Sequence, residues 1–357
     1  MLYTPPMKVL YLLNRVQGAR IDAIRRGEEN DNHLYGMLRL PAHGVETAYL
    51  EVEQYFPARI CKFLREHMLN IYWIHLPLFF KLFAYDVIFT STAFGSQFFH
   101  ALYPFKKPKW VMLDFSLSGF LGEGKTLKQK ILMFAAARAS GIVTIDEHER
   151  NEIEKSLPAL KGKAEFIRFA VDTDFFTPRH GEEEENLVFS PGRDPGRDFG
   201  TLFEAVKDLS VSVILTARPG NIKKLLPLPK SVSNTDLTTK EYISAFARAS
   251  IIVIPLDTRS AVNNAMGCST LVEAMAMGKA IIVTRTKTME SYITDGGNGV
   301  LVPPRDSQAL RVAIKELLGN KEKRDRLGRE ARVFAEKNCT AEVFASSLAS
   351  YFKNNIV

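Results

Sequence analysis

Gly267-Cys268-Ser269-Thr270-Leu271-Val272-Glu273-Ala274-Met275-Ala276-Met277-Gly278-Lys279-Ala280-Ile281-Ile282-Val283-Thr284 reads as a loop, a helix, a glycine stop and a strand. The helix opens at Ser269 or Thr270, whose hydroxyl suits a capped first turn with Glu273 close behind. Gly278 is the residue type that ends a helix. The run from Ala280 to Thr284 is short and apolar, as a strand buried on both faces of a parallel sheet must be.

The same alternation of short apolar runs and helical periodicity extends in both directions. It gives strands at Lys8–Leu13, Val45–Leu50, Asp86–Thr90, Trp110–Phe115, Gly141–Ile145 and Ala164–Phe169. It resumes with Leu187–Ser190, Ser212–Thr216, Ile251–Pro255, Ala280–Thr284 and Gly299–Val302. Repeated βα units of this kind build doubly wound parallel sheets. Between the two runs, Thr177-Pro178-Arg179-His180-Gly181 and the acidic stretch Glu182 to Glu185 read as a solvated linker. The expected fold is α/β, with two Rossmann-like domains facing a cleft. Residues 1–178 form the first, 179–186 the linker and 187–340 the second, with a closing helix over 341–357 packed back toward the first. Ligands of such sheets sit at the carboxyl ends of the strands.

At 357 residues, with 46% hydrophobic and 24% charged, the composition is that of an ordinary globular protein. A net charge of +7 favours an anionic partner. Cys61, Cys268 and Cys339 are far apart and form neither a disulfide framework nor a zinc signature. No signal peptide is read at the N-terminus, and the most apolar stretch, Met68 to Phe83, is interrupted by Asn70, His75, Pro77 and Lys81. A cytoplasmic chain is expected.

The exposed N–H groups and positive dipole end of the helix before Glu273 make a phosphate site. A second motif, Ser190-Pro191-Gly192-Arg193-Asp194-Pro195-Gly196-Arg197-Asp198, follows the first strand of the second domain and brings two guanidinium groups that bind phosphate well. Together these motifs resemble the retaining nucleotide-sugar glycosyltransferases of family 4, which have the two-domain type-B fold (GT-B). The likeness is strongest over residues 186–302. It implies that Glu273 bonds the ribose, and that Arg193, Arg197, Gly267, Ser269 and Thr270 surround the diphosphate of a UDP- or GDP-sugar. It implies further that no metal or other cofactor is needed. Asp172-Thr173-Asp174 has the look of a metal-binding pair, but it matches the stretch that precedes the linker in that family. The expected partners are a nucleotide sugar and a glycan or lipid-linked acceptor, in envelope glycan or glycolipid synthesis.

The chain also departs from the family. An earlier glutamate common there is Ala265 here, which leaves Asn263, Asn264 and Met266 as candidates to meet the sugar and suggests a catalytically silent subunit as an alternative. The glycine-rich loop after the first strand is reduced to Asn14-Arg15-Val16-Gln17-Gly18. The family's His-Asp pair becomes Leu113-Asp114, which makes Asp114 the catalytic candidate, with no histidine beside it. His33, on the helix after the first strand, could face the acceptor.

One motif competes. Gly119-Phe120-Leu121-Gly122-Glu123-Gly124-Lys125-Thr126 satisfies the phosphate-binding pattern GxxxxGK[ST], and Ile142–Asp146 resembles its partner strand, so a P-loop NTPase is the second alternative. Otherwise Gly119 to Lys125 is a loop on the acceptor side. Finally, the stretch from Arg59 to Lys130 holds ten Lys and Arg against four Asp and Glu, interleaved with aromatics. That pattern suits peripheral contact with an anionic membrane. No motif points to nucleic acid.

Overall fold

The computed structural model describes residues 6–13, 16–64, 75–91, 93–122, 124–179, 181–259 and 265–356. The chain divides into two compact units. One holds the residues up to Arg168 and those from Phe344 onward, and the other runs from Phe169 to Val343.

In the first unit, strands β1 (Met7–Leu12), β2 (Val45–Tyr49), β3 (Val87–Thr90), β4 (Lys109–Asp114), β5 (Gly141–Thr144) and β6 (Ala164–Phe166) form a parallel sheet in the order β2-β1-β3-β4-β5-β6. Helices α1 (Gly18–Arg25), α2 (Ala58–Phe63), α3 (Phe94–Leu102), α4 (Leu117–Leu121), α5 (Leu127–Ala136) and α6 (Glu147–Ser156) connect them. Every residue of β3 and β5 is buried, as helices on both faces require. Leu10, Ile88, Trp110 and Ile142 lead the core.

The second unit repeats the plan with β7 (Leu187–Ser190), β8 (Ser212–Leu215), β9 (Val232–Asn234), β10 (Ile251–Ile254), β11 (Ile281–Thr284) and β12 (Val300–Val302), in the order β12-β11-β10-β7-β8-β9. Its helices are α7 (Phe199–Val206), α8 (Pro219–Ile222), α9 (Thr239–Arg248), α10 (Cys268–Ala276), α11 (Lys287–Glu290), α12 (Ser307–Gly319) and α13 (Lys321–Asn338). The strand order reverses between β7 and β10, so a crevice opens there at the strands' carboxyl ends. Strand β9 is absent from the sequence reading, because Val-Ser-Asn at a sheet edge carries no run long enough to show a period.

The acidic stretch expected to be a solvated linker belongs to the second unit. Glu184 takes a two-pronged bond from Arg248, at 2.6 and 3.1 Å, and Glu183 pairs with Arg324 at 2.7 Å. The crossing between units falls earlier, at Arg168 and Phe169, because Phe169 N–H is held by Tyr292 at 2.9 Å and Val171 N–H by the Cys339 carbonyl at 2.7 Å.

The last helix, α14 (Ala341–Tyr351), begins in the second unit and continues in the first, followed by a single wide turn over Phe352–Ile356. Tyr351 donates to the Lys163 carbonyl, and Phe352 meets Phe89 edge to face at 5.8 Å. Gly141 has no room for a Cβ, because the Tyr351 hydroxyl occupies the space. All three cysteines are buried and none is in a disulfide. Among the described residues no helix is long and apolar enough to cross a membrane; part of the most apolar stretch, 68–74, lies outside them.

Candidate active site

The loop after β7 is fixed at the point where the strand order reverses. Gly192 N–H donates to Thr216 Oγ1 at 3.0 Å, Asp198 N–H to the Pro255 carbonyl at 3.0 Å and Asp257 N–H to the Gly196 carbonyl at 2.8 Å. A bridge pairs Arg197 with Leu256 across the end of β10. The φ of Gly192, 154°, favours glycine, and a Cβ there would run into the Arg197 guanidinium.

This anchoring turns the two arginines in different directions. Arg197 is buried, with Nη2 donating to Thr270 Oγ1 at 3.0 Å and lying 3.5 Å from Asp194 Oδ2. Its Nε and Nη1 are buried and have no hydrogen-bond partner among the described residues. Burial lowers its pKa, with Asp194 opposing the shift. Arg193 is exposed and bonds Asp236 at 3.0 Å.

Helix α10 starts at Cys268, ahead of the expected Ser269 or Thr270, and no side chain caps it. Gly267 takes the preceding position at φ 84°, where a Cβ would lie 3.0 Å from Ile254 and 3.2 Å from Leu256. The Ser269 hydroxyl, free of the capping role, donates to Glu273 Oε1 at 2.9 Å. Glu273 is buried, and its other oxygen accepts from the Tyr242 hydroxyl at 2.9 Å. Burial raises the Tyr242 pKa well above its ordinary value and the Glu273 charge adds to this, so the phenol stays a neutral donor. Tyr242, on α9, has no motif to flag it; 31 residues separate it from Glu273. Met266 packs its thioether over Gly196. Asn263 and Asn264 lie outside the described residues.

Asp172 closes its own turn, its Oδ1 accepting from Asp174 N–H at 3.2 Å and Phe175 N–H at 3.1 Å.

In the first unit, Asp114 ends β4 and is buried. Its Oδ1 accepts from the N–H groups of Ser116 at 2.9 Å and Leu117 at 2.6 Å, so it tethers the start of α4. Glu149, also buried, accepts from Ser118 N–H at 2.7 Å and its hydroxyl at 2.6 Å. As two carboxylates, Asp114 and Glu149 have no donor between them, and Asp114 Oδ2 is left without a partner. With a proton on Asp114 the two bond each other. Burial first, then the neighbouring Glu149 charge, raises the Asp114 pKa well above the carboxylate range. Glu149 is a partner the sequence motifs do not reveal.

His33 lies beyond α1, which ends before Gly27 turns the chain at φ 70°; it sits in a 3-10 turn with its ring 6.2 Å from Tyr35. Gly119 falls inside α4, so a helix interrupts the expected loop. Lys125 is exposed. Thr126 is spent capping α5, its Oγ1 accepting from Gln129 N–H at 3.2 Å, and Asp146 likewise caps α6. A phosphate-cradling loop needs an unbroken passage from strand to helix, and the P-loop reading is set aside on this geometry.

Two parallel Rossmann-like units, with a buried arginine beside an uncapped helix at the switch point of the second, define the class of fold: it is that of the GT-B glycosyltransferases. Residues 231–334, which take in α9, β10, α10 and β11, match the family model described as Glycosyl transferases group 1. Over 211 residues the chain is 25% identical to uncharacterized glycosyltransferase MJ1178 of Methanocaldococcus jannaschii; it spans 57% of that relative's length, using 57% of its own. Its fold is similar to that of Anabaena Alr3699/HepE in complex with UDP-glucose, with TM-score 0.71 and 15% identity over 97% of this chain and 99% of that one. It is also similar to sucrose-phosphate synthase (tll1590) from Thermosynechococcus elongatus, with TM-score 0.73 and 17% identity over 97% and 98%.

Proposed function

We propose that this chain is a glycosyltransferase of family 4 that moves a sugar from a nucleoside-diphosphate sugar to an acceptor hydroxyl, with retention at the anomeric carbon. The observation that carries the reading is Arg197, which is buried beside the start of α10 with two of its nitrogens unpartnered among the described residues. A buried cation with donors unspent costs stability unless an anion completes it. A diphosphate would accept from Arg197 and from the first N–H groups of α10, and Glu273, held by Ser269 and Tyr242, would receive the ribose hydroxyls. Negative charge grows on the diphosphate as the glycosidic bond breaks, so donors already aimed at it lower the barrier. No metal is assigned to the site. HepE was solved with UDP, which makes UDP the first nucleotide to test and GDP the second.

The acceptor belongs to the first unit, with Asp114 the candidate to meet its hydroxyl, and we read it as a lipid-linked or envelope glycan met at an anionic membrane surface. Titration calorimetry with UDP and GDP tests the donor site: saturable binding of one of them, lost in Arg197→Ala, is expected, and no binding of either overturns it. Product anomers read by NMR decide retention. Nucleotide binding without turnover of any UDP- or GDP-sugar would instead fit a silent subunit.

A further inference from the structure

Helices α3, α4 and α5 of the first unit enclose an apolar pocket of about 400 Å³. Phe94, Phe98, Phe120, Leu127, Ile131 and Leu132 line it, and Lys128 is its one charged residue. The packing that makes it is firm. Gln97 of α3 is buried and donates to the Ala135 carbonyl of α5 at 3.0 Å, while Phe98 and Phe134 meet at 5.9 Å. Gly122 and Gly124, at φ 49° and 67°, turn the chain from α4 into α5.

The lining is unusual in how much of it meets solvent. Leu127 is 74% exposed, Phe120 44% and Ile131 39%; nearby in sequence, Phe105 is 70% exposed. Apolar side chains that can be buried normally are, so several left open around one cavity mark a place where something apolar binds. The charge of this segment is mostly positive, with six lysines in residues 93–136 against Asp114 and Glu123. Lys125, Lys128 and Lys130 follow α4, Lys106 precedes β4 and Lys109 opens it, all of them exposed. Among the described residues from 93 to 136 the one acid is Asp114, which is buried. An apolar slot set in a field of lysines complements an amphiphile with a hydrocarbon tail and an anionic head. The position is also telling. Phe94 and Phe120 lie just past the ends of β3 and β4, at the carboxyl edge of the sheet, and α4 carries Phe120 in its last turn while its first N–H groups hold Asp114.

We propose that this pocket seats the hydrocarbon chain of an anionic membrane lipid, and that this lipid bears the acceptor hydroxyl; the second half rests on the glycosyl-transfer reading, and the lipid seat does not. The pocket draws the tail out of the bilayer while the lysines face the head groups.

Flotation of the purified chain with vesicles tests it, using phosphatidylcholine alone and phosphatidylcholine mixed with phosphatidylglycerol. The wild type is expected to float with the mixed vesicles and not with the neutral ones, less strongly as salt is raised. Leu127→Gln combined with Ile131→Gln, at positions open to solvent and safe for folding, should weaken that binding at least tenfold, and Lys128→Glu should weaken it too. UDP binding by calorimetry and circular dichroism should not change in either variant. Failure of the wild type to float with the mixed vesicles, or equal flotation of the double variant, overturns the proposal. So does concentration-dependent self-association that the double variant abolishes, because a second copy would then be the occupant. If vesicles bind and no nucleotide does, the glycosyl-transfer reading fails and the lipid seat stands.

Discussion

Arg197 Nη2 donates to Thr270 Oγ1 at 3.0 Å, which ties the loop after β7 to the first turn of α10 and leaves the rest of the guanidinium unsatisfied. The unliganded protein therefore carries a destabilising group at this point. Arg197→Met is expected to raise the thermal midpoint of the free protein while removing the rise that UDP is expected to produce in the wild type, a split that differential scanning calorimetry reads directly.

The two arginines of the loop should differ sharply. If the proposed donor site holds, Arg197→Ala would remove charge-assisted bonds to a buried phosphate, and a loss of about 2–4 kcal/mol, or roughly 30-fold to several hundred-fold in UDP affinity, is expected. Arg193→Ala breaks an exposed pair with Asp236 and should change affinity by no more than about fivefold. Calorimetry on both variants decides; equal effects would mean that the loop rearranges around its ligand.

Tyr242→Phe deletes the donor to Glu273 and leaves a buried carboxylate oxygen short of one bond. A cost of about 1–2 kcal/mol in folding free energy is expected from urea titration, along with weaker UDP binding. Glu273→Gln keeps the shape of the side chain and should fold, yet bind UDP less well.

Gly267→Ala places a Cβ 3.0 Å from Ile254 on a residue at φ 84°. Strain and crowding together should cost about 1–3 kcal/mol, visible as a lowered denaturation midpoint.

Two pH effects of opposite sign follow from buried groups. His75 and His100 are pushed down to about 4 by burial, with His100 Nε2 on the Pro108 carbonyl at 2.8 Å. The unfolded chain takes up protons first, so their stabilisation is complete above pH 6.5 and is lost as pH falls toward 4. Asp114 is raised, so here the native state holds the extra proton, and stability falls as pH climbs from its unfolded value of 3.8 through the raised one. Asp114→Asn, which can donate to Glu149 at any pH, should remove the decline seen as pH climbs and leave the one on acidification unchanged. Denaturant titrations across pH separate the two.

Much of this architecture is legible in the residues. Ile251–Ile254 and Ile281–Thr284 are buried throughout, and all their residues but Thr284 are apolar because the strands are covered on both faces, which is a local property. What stays hidden depends on pairs distant in the chain. The repeat of Arg193 and Arg197 shows two cations but not which one turns inward; the bridge to Leu256 and the contact of Met266 on Gly196 decide that. Glu149 meets Asp114 only because β4 and β5 are neighbours, and Tyr242 reaches Glu273 from another helix. The opening of α10 shows a different limit. A serine that could cap the helix turns instead to Glu273, and a glycine at positive φ begins it. Two local rules competed, and the buried carboxylate won.

The chain's return to its first unit sets an order for biosynthesis. A protein emerging from the ribosome presents β1 to β6 before the second unit, but Tyr351 and Phe352, which close against Lys163 and Phe89, are translated only after that unit. The second unit, contiguous from Phe169 to Val343, is complete before them. The half encoded first is therefore the half that matures last, and until then it exposes the apolar surface that the tail will cover.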